Sequence, residues 1–222
     1  MNKPAPSVQS TPAAWEVDAY IAAARMGKTE VAAEFLQRYP ALVDAQDADE
    51  MTALRYAARN GHTSTVLMLL EKGAAINGKS VNTVPALLQA VSFEHIEVIE
   101  LLLDRGAAIE AESRYGMTAL MVAAWYGYKD IVELLLERGA STEKEDLYER
   151  TALICAEERG KRRVAEFIEQ WPELKEQRRI EKERMQAEQR AEFLKETDCS
   201  TGLKKDMPAP IPLRAVKRKM KP

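Results

Sequence analysis

Histidine and cysteine are scarce in this 222-residue chain, with two of each. No His-Glu-x-x-His, Cys-x-x-Cys or Gly-x-x-x-x-Gly-Lys-Ser/Thr run occurs. The familiar zinc-protease, zinc-knuckle, dithiol and phosphate-loop chemistries are therefore excluded on their motifs. Cys155 and Cys199 lie far apart, the first inside a helical pattern, so no disulfide framework is expected and a reducing compartment is. A net charge of -3 gives no global pull toward nucleic acid or an anionic membrane. No apolar run reaches bilayer length, and residues 1–14 hold Pro4, Pro6 and Pro12 among Ser, Thr and Gln without the apolar core of a signal peptide. These absences predict an intracellular, cytoplasmic chain.

What the chain has instead is self-similarity. The triplet Thr118-Ala119-Leu120 has counterparts at 33-residue steps in Thr52-Ala53-Leu54, Pro85-Ala86-Leu87 and Thr151-Ala152-Leu153. Gly73, Gly106 and Gly139 keep the same step, as do Gly61, Gly127 and Gly160, with Glu94 standing where the third copy would place its glycine. A fixed period of this size marks an array of one small unit stacked on itself.

The unit resembles the ankyrin repeat, whose pattern runs Gly-x-Thr-Pro-Leu-His-x-Ala-Ala, Gly-His, Ile-Val-x-x-Leu-Leu, Gly-Ala. Here the best copy gives Gly116-Met117-Thr118-Ala119-Leu120-Met121-Val122-Ala123-Ala124, then Gly127-Tyr128, Ile131-Val132-Glu133-Leu134-Leu135-Leu136 and Gly139-Ala140. The resemblance covers roughly residues 15–172 and implies an all-α solenoid of about five helix-turn-helix units, near 15–46, 47–79, 80–112, 113–145 and 146–172.

The local signals agree with it. Thr52, Thr118 and Thr151 suit helix N-caps, and Pro85 suits a helix start. Second helices show apolar residues at i, i+3, i+4, as in Val66-Leu69-Leu70 and Val164-Phe167-Ile168. Gly73, Gly106 and Gly139 fall where a helix must end with positive φ. The first copy sits 34 residues ahead of the next, with Asp18 in the place of Thr52, and reads as an atypical N-terminal cap. The family histidine after Pro-Leu is replaced by Arg55, Leu88, Met121 and Ile154, so its bonds between repeats are expected to be missing and stability to lean on apolar packing. The third copy, with Glu94 for glycine, reads as the weakest.

Outside the array, residues 1–14 read as a disordered lead-in. Residues 173–197 are almost all Glu, Lys, Arg, Gln and Ala, a charged helix with pairs such as Arg179 and Glu183. Ile180, Ala187, Ala191 and Leu194 give it a seam too thin for a firm coiled coil. Residues 198–222 read as a disordered Pro/Lys-rich basic tail, with Lys217-Arg218-Lys219 either a nuclear-import address or acidic-partner contact, or simply a solubilising end.

No catalytic constellation emerges. His62 and His95 sit at the Gly-His position, which in the family caps the turn between helices, and Cys155 has no evident base. No catalytic residue, cofactor, metal or small-molecule substrate is expected. The resemblance implies that loop tips and the exposed ends of first helices line a concave surface. Those slots hold Met51, Arg59, Phe93, Arg114, Tyr115, Met117, Trp125, Tyr126, Tyr148 and Arg159 among others, a set rich in the aromatics and arginines that anchor interfaces. The expected function is a non-catalytic adaptor, scaffold or inhibitor, monomeric, without membrane contact, that binds a protein partner there. Two alternatives stay open: polyanion or nucleic-acid contact through the basic tail, and coverage of the groove by the chain's own C-terminal helix.

Overall fold

The computed structural model describes residues 12–78 and 84–198, with side chains described to residue 191. Most of the lead-in, part of the third unit's loop and the basic tail from residue 199, including Lys217-Arg218-Lys219 and Cys199, lie outside the described residues. The elements in order are α1 (Ala14–Arg25), α2 (Thr29–Arg38), a 3-10 turn (Pro40–Asp44), α3 (Ala53–Arg59), α4 (Thr63–Glu71), α5 (Ala86–Ser92), α6 (Ile96–Asp104), α7 (Ala119–Tyr126), α8 (Lys129–Glu137), α9 (Ala152–Glu158) and α10 (Arg162–Asp198). No strand occurs among the described residues. No helix among them is long and apolar enough to cross a membrane.

The chain divides into two compact units, Met1–Pro172 and Glu173–Pro222. In the first, odd-numbered helices stack in sequence, α1 on α3, α3 on α5, α5 on α7 and α7 on α9, while α2, α4, α6 and α8 each pack behind their own partner. Alanine makes that close stacking feasible: Ala24, Ala57, Ala58, Ala90, Ala123, Ala124 and Ala156 are fully buried. Behind them Val66, Leu69, Ile99, Leu102, Val132, Leu135, Val164 and Ile168 form the second layer of the core. Each fully buried aliphatic side chain contributes about 1.5–3 kcal/mol of transfer free energy.

Caps follow the sequence pattern. The hydroxyls of Thr52, Thr118 and Thr151 accept from the backbone N–H of Arg55, Met121 and Ile154 at 3.3, 3.4 and 3.4 Å. Pro85 occupies the same place before α5. The first unit departs from the pattern. Its helix begins at Ala14, so Asp18 lies inside α1 instead of capping it. The start is closed by Glu16, which accepts from the Ala13 N–H at 2.9 Å and from the Tyr39 hydroxyl at 2.9 Å. The Ala13 bond, then Tyr39 and Arg38, hold the Glu16 carboxyl below the usual range against the effect of burial.

The bonds expected to be missing are those of the family histidine after Pro-Leu; other positions supply hydrogen bonds between the repeats. His62 Nε2 lies 3.0 Å from the Arg25 carbonyl and His95 Nε2 lies 2.9 Å from the Arg59 carbonyl, each reaching back one unit. A second ladder runs through the loops. Asp44, Asn77 and Glu110, again 33 residues apart, accept from the backbone N–H of Ala75, Ala108 and Ser141 at 2.8, 2.8 and 2.7 Å. The lost histidine after Pro-Leu is thus compensated at other positions, and packing does not act alone.

Where the sequence suggests a break after Trp171-Pro172, α10 runs through Pro172. Strong helix formers on both sides account for that. In the second unit the helix carries its own ion pairs, Arg179 with Glu176 and Glu183 at 2.6 and 2.9 Å and Arg184 with Glu188 at 2.8 Å. Exposed, solvent-screened pairs of this kind contribute little to stability.

Candidate protein-binding surface

The surface is built from tight turns that precede the inner helices. In three of them a short polar side chain closes the turn from within. Asp47 accepts from the N–H groups of Asp49 and Met51 at 3.0 and 2.9 Å, Ser113 from those of Tyr115 and Met117 at 3.3 Å each, and Asp146 from those of Tyr148 and Arg150 at 2.9 and 3.0 Å. Such side-chain-to-backbone bonds substitute for a ladder and fix the turn. Adjacent turns also join: the Leu147 N–H donates to the Tyr115 carbonyl at 3.0 Å. Gly116 permits that approach. Its φ is +76°, and a Cβ there would stand 3.0 Å from Leu147 N.

Above these turns Arg150 and Trp125 form a connected cluster. Arg150 donates to Asp146 Oδ2 from Nε and Nη2 at 2.9 and 2.7 Å and to Glu158 from Nη1 at 3.2 Å. Its guanidinium lies 5.2 Å from the Trp125 ring centre and 5.0 Å from that of Tyr148. Arg159 covers Trp125 as well, at 4.5 Å. Burial works against ionisation of Asp146, but the Arg150 side chain and the two backbone N–H groups outweigh it and keep the carboxyl below its usual range. Arg150 in turn is held more firmly charged, chiefly by Asp146.

The other expected residues fall into three groups. Phe93 and Tyr126, each 46% exposed, and Tyr148, 64% exposed, stand open to solvent with Tyr115. Arg59 covers Phe93 at 4.8 Å, Arg114 covers Tyr115 at 5.7 Å, and Tyr126 stacks on Tyr128 with ring centres 5.5 Å apart. Trp125 and Met117 are half-buried. Met51 is a correction: at 7% exposure it belongs to the core beneath its turn and is not available as a contact. Val81 and Asn82, the third unit's turn residues, lie outside the described residues.

Sequence reasoning missed Asp47, Ser113 and Asp146 as the residues that hold the surface in shape. Their common register, five residues before Thr52, Thr118 and Thr151, is the signal that could have found them. Burial pushes the Cys155 thiol up, away from the thiolate form that attacks. Among the described residues no cluster of metal-ligating side chains occurs.

Two-helix units stacked in register, with closing glycines at positive φ and turns that project before each inner helix, define a helical repeat solenoid. The chain belongs to the ankyrin repeat family. The family profile described as ankyrin repeats (3 copies) matches residues 3–80 and 77–146. The fifth unit lies beyond that match, yet α9 packs on α7 as the earlier inner helices pack on one another. One curated relative is a transient receptor potential cation channel subfamily A member 1 homolog of Caenorhabditis elegans, 46% identical over 57 residues. That alignment takes in 26% of this chain and 5% of the channel homolog. Ankyrin repeats are protein–protein interaction modules and typically lack catalysis.

Proposed function

We propose that this chain is a non-catalytic adaptor, scaffold or inhibitor that holds a protein partner on the concave face of its repeat array, centred on Phe93, Tyr115, Trp125, Tyr126 and Tyr148. The observation that carries the reading is that Phe93, Tyr115, Tyr126 and Tyr148 of the third, fourth and fifth repeats are exposed while the turns beneath Tyr115 and Tyr148 are fixed by internal hydrogen bonds. A large exposed aromatic buries much area for little rotamer entropy when a partner covers it, and a preformed surface avoids the ordering cost of binding. The scaffold alone does not define the role; the occupancy of these slots supports it.

The test is affinity capture with the whole chain and with a Phe93→Ala/Trp125→Ala/Tyr126→Ala variant, helix content being checked by circular dichroism. The expected result is a partner retained by the parent chain and lost with the variant at unchanged helix content. Retention by both sinks the reading.

A further inference from the structure

The inner helices end in a row of arginine–aromatic stacks that cross from one repeat to the next. Arg25 of the first unit lies over Tyr56 of the second at 5.4 Å, Arg59 of the second over Phe93 of the third at 4.8 Å, and Arg159 of the fifth over Trp125 of the fourth at 4.5 Å. All three arginines are exposed. Among the described residues none of the three has a carboxylate within ion-pair distance. A helix C-terminus favours a cation, which accounts for a basic residue at the position. It does not account for guanidiniums placed over the rings of a neighbouring unit.

The carboxylates nearby are differently placed. Asp47 and Asp146 are engaged in closing their own turns, and Glu158 is bound to Arg150. Asp49, Glu50 and Glu149 sit at the turn tips, Asp18 and Asp47 line one pocket with Arg25 and Tyr56, and Glu94 stands one position beyond Phe93, beside Tyr128. The helix-end row therefore presents preoriented cations in a chain whose net charge is -3.

Resting on the reading that this face binds a protein, we infer that the segment it takes is an extended acidic stretch of the partner polypeptide, whose carboxylates meet Arg25, Arg59 and Arg159 while its apolar side chains cover the exposed faces of Phe93 and Tyr126. A stacked guanidinium presents a planar fork to a carboxylate at little cost in side-chain freedom. Successive helices pack about 8–10 Å apart, so the four steps from the first unit to the fifth span on the order of 35 Å. An extended chain covers that in roughly ten or eleven residues. A polynucleotide fits less well, because its dense line of phosphates would also run against the acidic turn tips.

The experiment is selection of a displayed library of random peptides, about twelve residues long to match that span, on the immobilised full chain. Selected peptides are then measured on three proteins: the parent, an Arg25→Gln/Arg59→Gln/Arg159→Gln variant, and the Phe93→Ala/Trp125→Ala/Tyr126→Ala variant. Thermal melts confirm that the exposed arginine changes leave the fold intact. The expected result is a set of peptides with several spaced Asp or Glu residues, weakened about tenfold or more by the Gln variant and by raised salt. Selected peptides without an acidic excess overturn the inference, as do acidic peptides that the Gln variant binds within about twofold, and so does failure to enrich any peptide over a blank surface. Equal or tighter binding of a thymidine oligonucleotide of the same length also overturns it. Neutral peptides that are lost only with the alanine variant would overturn the acidic class and leave the protein-binding face standing; peptides retained by both variants would remove both.

Discussion

The imidazole of His95 lies against Gly61 of the preceding repeat: a Cβ on Gly61 would stand 2.6 Å from His95 Nδ1, and Nε2 on the far side of the ring lies 2.9 Å from the Arg59 carbonyl. The same relationship joins His62 to Gly27, at 2.7 Å, and to the Arg25 carbonyl, at 3.0 Å. Glycine is required twice over at Gly61, by a φ of +72° and by the ring above it. Gly61→Ala is therefore expected to cost more than the roughly 1 kcal/mol of a left-handed alanine. His95→Ala should cost about 1 kcal/mol for the lost bond. Thermal denaturation of the two single variants and the double variant checks both, and a double variant whose loss equals the sum of the singles would deny the contact.

At the equivalent place in the third unit Glu94 holds a φ of +60° without glycine's freedom. The residue that faces it one unit on is Tyr128, whose hydroxyl is pushed up by burial first and by the Glu94 charge second. Glu94→Gly should relieve the left-handed strain and stabilise the array by about 0.5–1 kcal/mol, visible as a rise of a few degrees in Tm. An unchanged or lowered Tm would show that Glu94 contributes a contact larger than its strain.

Acid should weaken the array in a defined window. Asp146 and Glu16 both have folded-state values below the ordinary carboxylate range. A depressed folded value adds stability above the unfolded value of about 4, and that stability is lost as pH falls toward the folded value. Tm should be level between about pH 7 and pH 5 and fall below about pH 4. Asp146→Asn should lower Tm at neutral pH and flatten the acid slope. A variant with the parent's slope would remove Asp146 from the account.

The period, the threonine caps and the glycine stops were all legible in the sequence because each is one residue type recurring at one step. The loop ladder was not, although it keeps the same step: Asp44, Asn77 and Glu110 share only an acceptor oxygen, so a search for identical residues passes over them. Met51 was misplaced because the same slot is only half-buried at Val84, Met117 and Arg150, whereas here its turn folds it inward. The aromatic and arginine content of the surface could be read from register alone. Which arginine covers which ring could not, since Arg59 reaches the next unit and Arg159 the previous one. That choice depends on how neighbouring helices are offset, which no one-dimensional period records.

Gly116 offers a way to separate shape from contact on the proposed surface. Its own atoms offer a partner almost nothing, yet it lets the fourth and fifth turns approach closely enough for the Leu147 N–H to reach the Tyr115 carbonyl at 3.0 Å. An added methyl would press on Leu147 N at 3.0 Å and on Asp146 Cα at 3.2 Å, both backbone atoms that cannot rotate away. Moving Asp146 also moves Arg150, and with it the cover over Trp125 and Tyr148. Gly116→Ala should therefore cost more than about 1 kcal/mol in stability. It should also weaken partner capture well below its melting temperature, although every aromatic and arginine on the surface is still present. Full capture by a destabilised Gly116→Ala chain would mean that the partner does not depend on the relation between these two turns, and would move the binding surface toward the earlier repeats.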